Sequence, residues 1–312
     1  MTTLAHAVEL AETRIRPWIL ETPLEPSSLG PHLKLENLQH TGSFKARGAF
    51  SKLLALEPAH RARGVIAAST GNHGAAVAYA AAKLGIRARI MVPHGADPGK
   101  LAAIRALGGE LEVHGEDSAV AERYARRQAE QEDVPYVSPY NDLDVIAGQG
   151  TAGLELIRQL PRAAAVFIAL GGGGLLAGVA ACLKQAWPGV AVIGCSPENS
   201  AVMIHSLRAG RILELESRPT LSDGTAGGIE PGAITFELCR DLADDFVTVT
   251  EAEIREAMGR VLAATGRRVE GAAGVAVAAY LRQAERWRGK PVVAILCGGN
   301  VAASVFDTTD RS

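Results

Sequence analysis

The run AVFIALGGGGLLAGVAA, residues 165–181, carries the clearest structural message in the chain. Six apolar residues come first, then four consecutive glycines, then a second apolar run of helical composition. A strand apolar on both faces, a tight turn and a helix make up the unit of an open parallel α/β sheet, where ligands bind at the point strand gives way to helix. Successive glycines let backbone N–H groups converge, and a helix start adds positive potential. Gly171, Gly172, Gly173 and Gly174 therefore read as a phosphate cradle, with a turn made only for close strand–helix packing as the plainer alternative. Gly172, Gly174 and Ala177 also fit the dinucleotide pattern G-x-G-x-x-A. The acidic residue due about 20 positions later is missing, however, so a nicotinamide-binding oxidoreductase is a distant reading.

The same alternation extends outward in both directions. Upstream, the spacing predicts strands at 64–68, 86–92, 110–114 and 135–137, separated by helices at 74–84, 99–107 and 118–132. Downstream it predicts helices at 146–160 and 175–187 around the strand at 165–170, then a strand at 191–195. Helices at 251–265 and 274–287 precede a last strand at 291–296. A helix at 5–19 and a short strand at 32–35 open the chain. Such a pattern predicts parallel or mostly parallel sheets flanked by helices. Residues 208–231, rich in Gly, Pro and Ser, read as a loop able to line a site. The clearest seam falls at 139–144 and the next at 61–64.

Composition narrows the class. A chain of 312 residues exceeds the usual size of one core, and 47% hydrophobic with 21% charged residues suits a packed protein. The net charge of -2, without blocks of like charge, excludes recruitment by nucleic acid or an anionic membrane. The first residues carry acidic side chains at helical spacing, unlike a signal peptide, and no apolar run is long enough to span a bilayer. The cytoplasm is the expected location. Cys182, Cys195, Cys239 and Cys297 are widely spaced, so neither a zinc knuckle nor a disulfide framework is expected.

Three further stretches carry chemistry. In Thr41-Gly42-Ser43-Phe44-Lys45-Ala46-Arg47-Gly48, Ser43 reads as the cap of an apolar helix, 50–56. Lys45 then falls in the first turn, where the helix dipole disfavours an ammonium. A neutral lysine amine forms Schiff bases with carbonyl compounds, although a solvated lysine at a helix start has the same local sequence. Ser69-Thr70-Gly71-Asn72-His73-Gly74 offers hydroxyls and backbone N–H groups at a helix start, suited to a carboxylate, or else ordinary capping. His73 taken singly reads as a structural hydrogen-bonder rather than a base. Cys297-Gly298-Gly299-Asn300 ends the last strand, its thiol either an inert core group or a neutral partner for a ring nitrogen. Residues 95–100 have the wrong spacing for a P-loop.

Taken in order, these motifs closely resemble the fold-type II pyridoxal-phosphate enzymes, in the serine/threonine dehydratase and serine racemase branch. The likeness runs from about residue 22 to 300 and includes KLENLQHTGSFKARGA, IRALGGEL, VIAGQGT and SDG. It implies a two-domain, tryptophan-synthase-β-like fold, with 1–61 and 142–312 binding the cofactor and 62–141 the substrate carboxylate. Lys45 resembles the Schiff-base lysine and α-proton base, Phe44 the residue packed by the ring, and Asn72 the partner of the cofactor 3-hydroxyl. Gly171, Gly172, Gly173, Gly174 and the N–H of Leu175 resemble the phosphate loop. Cys297 matches the group facing the pyridine nitrogen. Ser69, Thr70, Gly71, Asn72 and His73 match the loop holding the substrate carboxylate, and Glu270 a pocket carboxylate.

The implied reaction is α,β-elimination of water from a β-hydroxy amino acid such as L-threonine or L-serine, yielding a 2-oxo acid and ammonia. The family's acid for the departing hydroxyl is the cofactor phosphate. Racemases of this branch carry a serine where Thr70 stands, so racemisation is the alternative activity and Thr70 its candidate second base. An inactive pyridoxal-phosphate-binding protein is a further rival, against which the intact Lys45 and Asn72 speak. Ser196 and Val202 occupy the positions of those racemases' metal carboxylates, so no such metal is expected. His40 replaces the usual proline before the lysine motif. The resemblance also implies a small amino-acid substrate, a homodimer, and no appended regulatory domain.

Overall fold

The alternation read from the sequence is present in the computed structural model, which describes residues 3–302 and 304–307. Its strands are β1 Leu24–Glu25, β2 His32–Lys34, β3 Val65–Ala68, β4 Ala88–Val92, β5 Glu110–Val113, β6 Ala165–Ala169, β7 Ala191–Pro197, β8 Asp245–Val249 and β9 Val292–Ile295. They form a six-stranded sheet in the order β1-β2-β9-β6-β7-β8 and a three-stranded sheet, β3-β4-β5. Every pairing is parallel except β1 with β2. The expected α/β fold with mostly parallel sheets is the one the chain adopts. Part of the expected larger division, residues 1–2, 303 and 308–312, lies outside the described residues.

β6 shows why the strands read as apolar runs. All five of its residues are buried, and β7 and β9 flank it on either side. Helix Gly271–Arg282 packs on both neighbours as well as on β6, and its residues are buried from the first through Tyr280, as its all-round apolar sequence demands. Helix Lys45–Ala55 lies at the junction of the two sheets. It packs against Asn72–Leu84 on the small-sheet side and against Leu143–Gln159 on the large-sheet side. Phe50 and Leu53 from it enter the core that packs on the three-stranded sheet.

Several local expectations are corrected. Ser43 does not cap the lysine helix: Phe44 is the residue before Lys45, and no side chain caps that terminus. Ser43 is extended (φ -159, ψ 160) and bridges Gly298, while Phe44 after it is already helical, so the Ser43 hydroxyl lies one residue ahead of the cap position and is buried without a partner. The helix begins at Lys45 rather than at 50. The strand at 135–137 reduces to one bridge between Ile66 and Tyr136, since Pro135 has no N–H to extend the ladder. Helix Ile234–Leu242 and strand β8 occupy a region that had no assignment. Residues 5–19 divide into the helix Leu4–Ile15 and a 3-10 turn, Arg16–Trp18. Residues 274–287 likewise divide into Gly271–Arg282 and Ala284–Trp287.

Candidate active site

The carboxyl ends of β3, β4, β6 and β9 meet at one cleft of about 1080 Å³. The residues named from the sequence as candidate catalytic, cofactor-binding and substrate-binding groups line it: Phe44 and Lys45, the loop from Ser69 to His73, the turn from Gly171 to Leu175, Glu270 and Cys297. Residues 223–228, within the expected loop, contribute another wall. Four helices open onto this cleft, beginning after Phe44, Gly71, Gly173 and Glu270, and none of them has a side-chain cap. Two other helices that start at the cleft wall are capped, by Asp97 and Asp117, as are those after Thr3, Asp142 and Thr250, while the helices Pro58–Arg63, Val202–Ala209 and Ile234–Leu242 also lack a side-chain cap. Uncapped N–H groups and the positive ends of helix dipoles therefore converge on one space, which is what an anionic ligand requires.

The glycine turn is shaped for the same purpose. Gly173 lies at φ +87, a conformation that favours glycine. A Cβ at Gly171 would stand 2.8 Å from the Thr225 backbone, and one at Gly172 would stand 2.3 Å from the Tyr140 ring. Tyr140 cannot easily yield, because its hydroxyl accepts the N–H of Glu230 at 2.9 Å. Only bare backbone fits between these walls.

Lys45 is half-buried, with its ammonium donating to the Pro139 carbonyl at 2.8 Å and standing 5.1 Å from the centre of the Phe44 ring. Loss of hydration lowers its pKa from 10.5 to about 8, against the opposing pull of Cys297 and Glu270. Burial holds the Cys297 thiol well above its ordinary value, so it is neutral. His73 donates Nε2–H to the Val137 carbonyl at 2.8 Å. Burial and the nearby Lys45 lower its pKa to about 3, so it is a neutral, positioned ring. Ser69 turns its hydroxyl inward to accept the N–H of Gly71 at 3.1 Å.

Glu270 is 4% exposed, and both its oxygens accept from Asn72 Nδ2, at 3.0 and 2.9 Å. Burial raises its pKa from 4.5 to about 7, with Asp223 adding to the rise and Asn72 opposing it. A carboxyl raised in the fold gives up its proton earlier in the unfolded chain. Its contribution to the stability of the cofactor-free protein is therefore lost as pH climbs from 4.5 to about 7, by up to about 3 kcal/mol. His73 acts oppositely, adding stability as pH rises from about 3 to 6.5. The Glu270 effect is thus expected as a difference: Glu270→Gln gains on the native chain between pH 5 and 7.5 in urea unfolding, and parallel pH profiles would refute it.

Sequence reasoning did not find the Pro139 carbonyl, the Tyr140 and Thr225 walls, or the part played by Asn300. The first three come from segments distant in the chain with no motif of their own. Asn300 did stand in a motif, CGGN, yet nothing local showed what its amide meets. Among the described residues, no group of three or more His, Cys, Asp or Glu is placed to hold a metal ion, and no helix is long and apolar enough to cross a membrane.

An α/β protein with a lowered-pKa lysine, a glycine cradle for a phosphate and a neutral thiol in one cleft is built to carry a phosphorylated carbonyl cofactor. Residues 15–298 match the family described as pyridoxal-phosphate dependent enzyme, and the chain belongs to it. It is 44% identical to an L-threonine ammonia-lyase of Thermotoga maritima over 276 residues, 88% of this chain and 68% of that protein. The processed form of threonine deaminase isoform 2 from Solanum lycopersicum superposes with a TM-score of 0.92 at 34% identity, covering 97% of this chain and 91% of the other. Maize serine racemase gives 0.91 at 31% identity, covering 97% and 95%.

The residues present fit the cofactor. The uncapped glycine turn suits its phosphate, and the Lys45 amine its aldehyde. Gly171→Ala, by pushing on the Thr225 backbone, is expected to cost about 1–3 kcal/mol of stability and to weaken retention of pyridoxal phosphate. Thermal melting and a fluorescence titration with the cofactor check both; unchanged affinity would detach the turn from phosphate binding.

Proposed function

We propose that this chain is a pyridoxal-phosphate-dependent ammonia-lyase, removing water from a β-hydroxy amino acid of the L-threonine or L-serine type to give a 2-oxo acid and ammonia. The observation that carries this reading is the meeting, in one cleft, of the Lys45 amine, the uncapped glycine turn and the loop at Ser69 to His73. The names borne by the relatives above point the same way. Bound pyridoxal phosphate supplies a carbonyl for the substrate amine and an electron sink for charge developing at Cα.

The chain's own residues do the rest. With its pKa near 8, Lys45 is free-amine often enough near neutral pH to take the Cα proton, a task that asks for a pKa close to the working pH. Backbone N–H groups at the start of Asn72–Leu84 hold the substrate carboxylate, and His73 stiffens that loop through Val137. Cys297, kept neutral by burial, places no negative charge opposite the ring nitrogen. Residues 62–141 serve as the carboxylate-binding unit, and 1–61 with 142–312 as the cofactor-binding unit.

The test incubates the protein and pyridoxal phosphate with threonine, serine and bulkier β-hydroxy amino acids, measuring 2-oxo acid and ammonia. No release from any of them sinks the proposal. Thr70 lines the same cleft and a serine racemase superposes on the chain, so racemisation is the second reading. Chiral analysis of the recovered substrate decides it. A homodimer in the cytoplasm completes the proposal, checked by light scattering and cell fractionation.

A further inference from the structure

Asn300 stands on the rim of the cleft and makes two hydrogen bonds through one nitrogen. Its Nδ2 donates to the Thr41 carbonyl at 2.7 Å and to Asn72 Oδ1 at 2.7 Å. A backbone carbonyl can only accept, so the part of the Asn300 amide facing Thr41 must be its NH2 group. The second hydrogen of that group meets Asn72, so the atom Asn72 presents there must be its oxygen. Asn72 is then obliged to turn its own NH2 towards the Glu270 carboxylate. Donation runs outward from Asn300, to the Thr41 carbonyl on one side and through Asn72 to Glu270 on the other, and its direction is set by a carbonyl that cannot be reversed.

The rim is built to keep Asn300 in this place. Thr41 lies at φ +61, a region that β-branched residues avoid, and Gly42 follows at φ +73. A Cβ on Gly42 would stand 2.6 Å from Asn300 Oδ1, so only glycine lets the amide close over the turn. The Thr41 hydroxyl is buried without a partner, so no hydrogen bond of its own side chain explains the strained backbone. Its carbonyl, by contrast, is engaged.

We propose that Asn300 is a positioning residue for the elimination. By occupying Asn72 Oδ1 it leaves Asn72 its NH2 group alone to turn inward, towards Glu270 with one hydrogen and, with the other, towards the ring oxygen that bound pyridoxal phosphate would place there. That oxygen is thereby held as an oxyanion. The inference rests on the reading of Asn72 as the partner of the ring oxygen, and the experiment separates the two.

Asn300→Asp keeps the shape and removes both donor hydrogens, Asn300→Ala removes the amide, and Asn72→Ala serves as reference. Each is reconstituted with pyridoxal phosphate, and the visible absorption of the bound cofactor, its dissociation constant, and kcat and KM for threonine are measured. Asn300→Asp is expected to move the absorption maximum in the same direction as Asn72→Ala and to raise the cofactor Kd about tenfold, the worth of one or two hydrogen bonds. It should also lower kcat more than it changes KM, and Asn300→Ala should act in the same direction, less strongly. Native-like spectra and affinity in both Asn300 variants, with Asn72→Ala altered, overturn the inference while leaving the role of Asn72 intact. Native-like behaviour in all three removes the role of Asn72 and the inference together. A lowered melting temperature with an unmoved spectrum would mark Asn300 as structural only, which also overturns the inference.

Discussion

Lys45→Ala is expected to abolish release of 2-oxo acid and ammonia, with a rate loss of about 10⁴-fold or more, because the proposed function makes one side chain both covalent anchor and base. The glycine turn and the other walls of the cleft are untouched, so the variant should still take up pyridoxal phosphate without a covalent bond. Borohydride treatment followed by mass spectrometry should mark the Lys45 peptide in the native protein and nothing in the variant. Unfolding cannot explain the loss. A base whose pKa is lowered to about 8 burdens the fold at neutral pH, and this burden fades only as pH rises from there towards 10.5. The cofactor-free variant should therefore be at least as stable as the native chain at pH 7. Lys45→Arg should be equally inactive, since a guanidinium keeps its proton and its charge. Activity within tenfold of native in either variant would end the case for Lys45.

The largest expected effect on stability comes from Glu155→Ala, behind the site. Lys34, Glu36, Arg47 and Glu155 form a charge-balanced cluster almost wholly removed from water. Arg47 donates to Glu36 at 2.7 and 2.8 Å and to Glu155 at 2.7 and 2.9 Å, while Lys34 pairs with Glu155 at 2.5 Å. Thr22 closes the group through its backbone N–H to Glu155 and its hydroxyl to Glu36. Burial alone would raise the Glu36 pKa, but the charge of Arg47 and its hydrogen bonds, with help from Lys34, hold it below the ordinary value. Removing the Glu155 carboxylate leaves two cations facing one anion in a dry interior, at a cost of about 3–5 kcal/mol. Glu155→Gln, which retains acceptors without the charge, should lose less. Urea unfolding of the two variants decides the matter, and a loss in Glu155→Ala below about 1 kcal/mol would show that water reaches the cluster.

Much of this architecture was legible in the residues because its rules are local. β6 had to be apolar throughout once both faces were covered, and the four glycines had to follow once backbone was to press against Thr225 and Tyr140. Other features obey partners that no window of sequence contains. Ser43 has the composition of a cap, yet it lies one residue ahead of the cap position, bridged to Gly298. The carbonyl that receives Lys45 comes from Pro139, 94 positions away. β8 left a faint trace in the run Phe246, Val247, Thr248, Val249 ahead of the capping pair Thr250 and Glu253, but a half-exposed edge strand makes a short and broken pattern. Glu270 and Asn72 each stood in a recognisable motif, whereas their bond and its control by Asn300 were visible only once the chain was folded.

The lysine turn is fastened to a segment far later in the sequence: β2 pairs with β9, Ser43 with Gly298, and the N–H of Phe44 with the carbonyl of Cys297. During translation, at about 5–20 residues per second, the ribosome makes Lys45 well before the strand and turn it docks against. A chain cut before β9 would lack these partners, and its Lys45 is expected to keep the ordinary lysine pKa of about 10.4. Carbonyl capture by Lys45 would then require β9 and the turn after it to be in place.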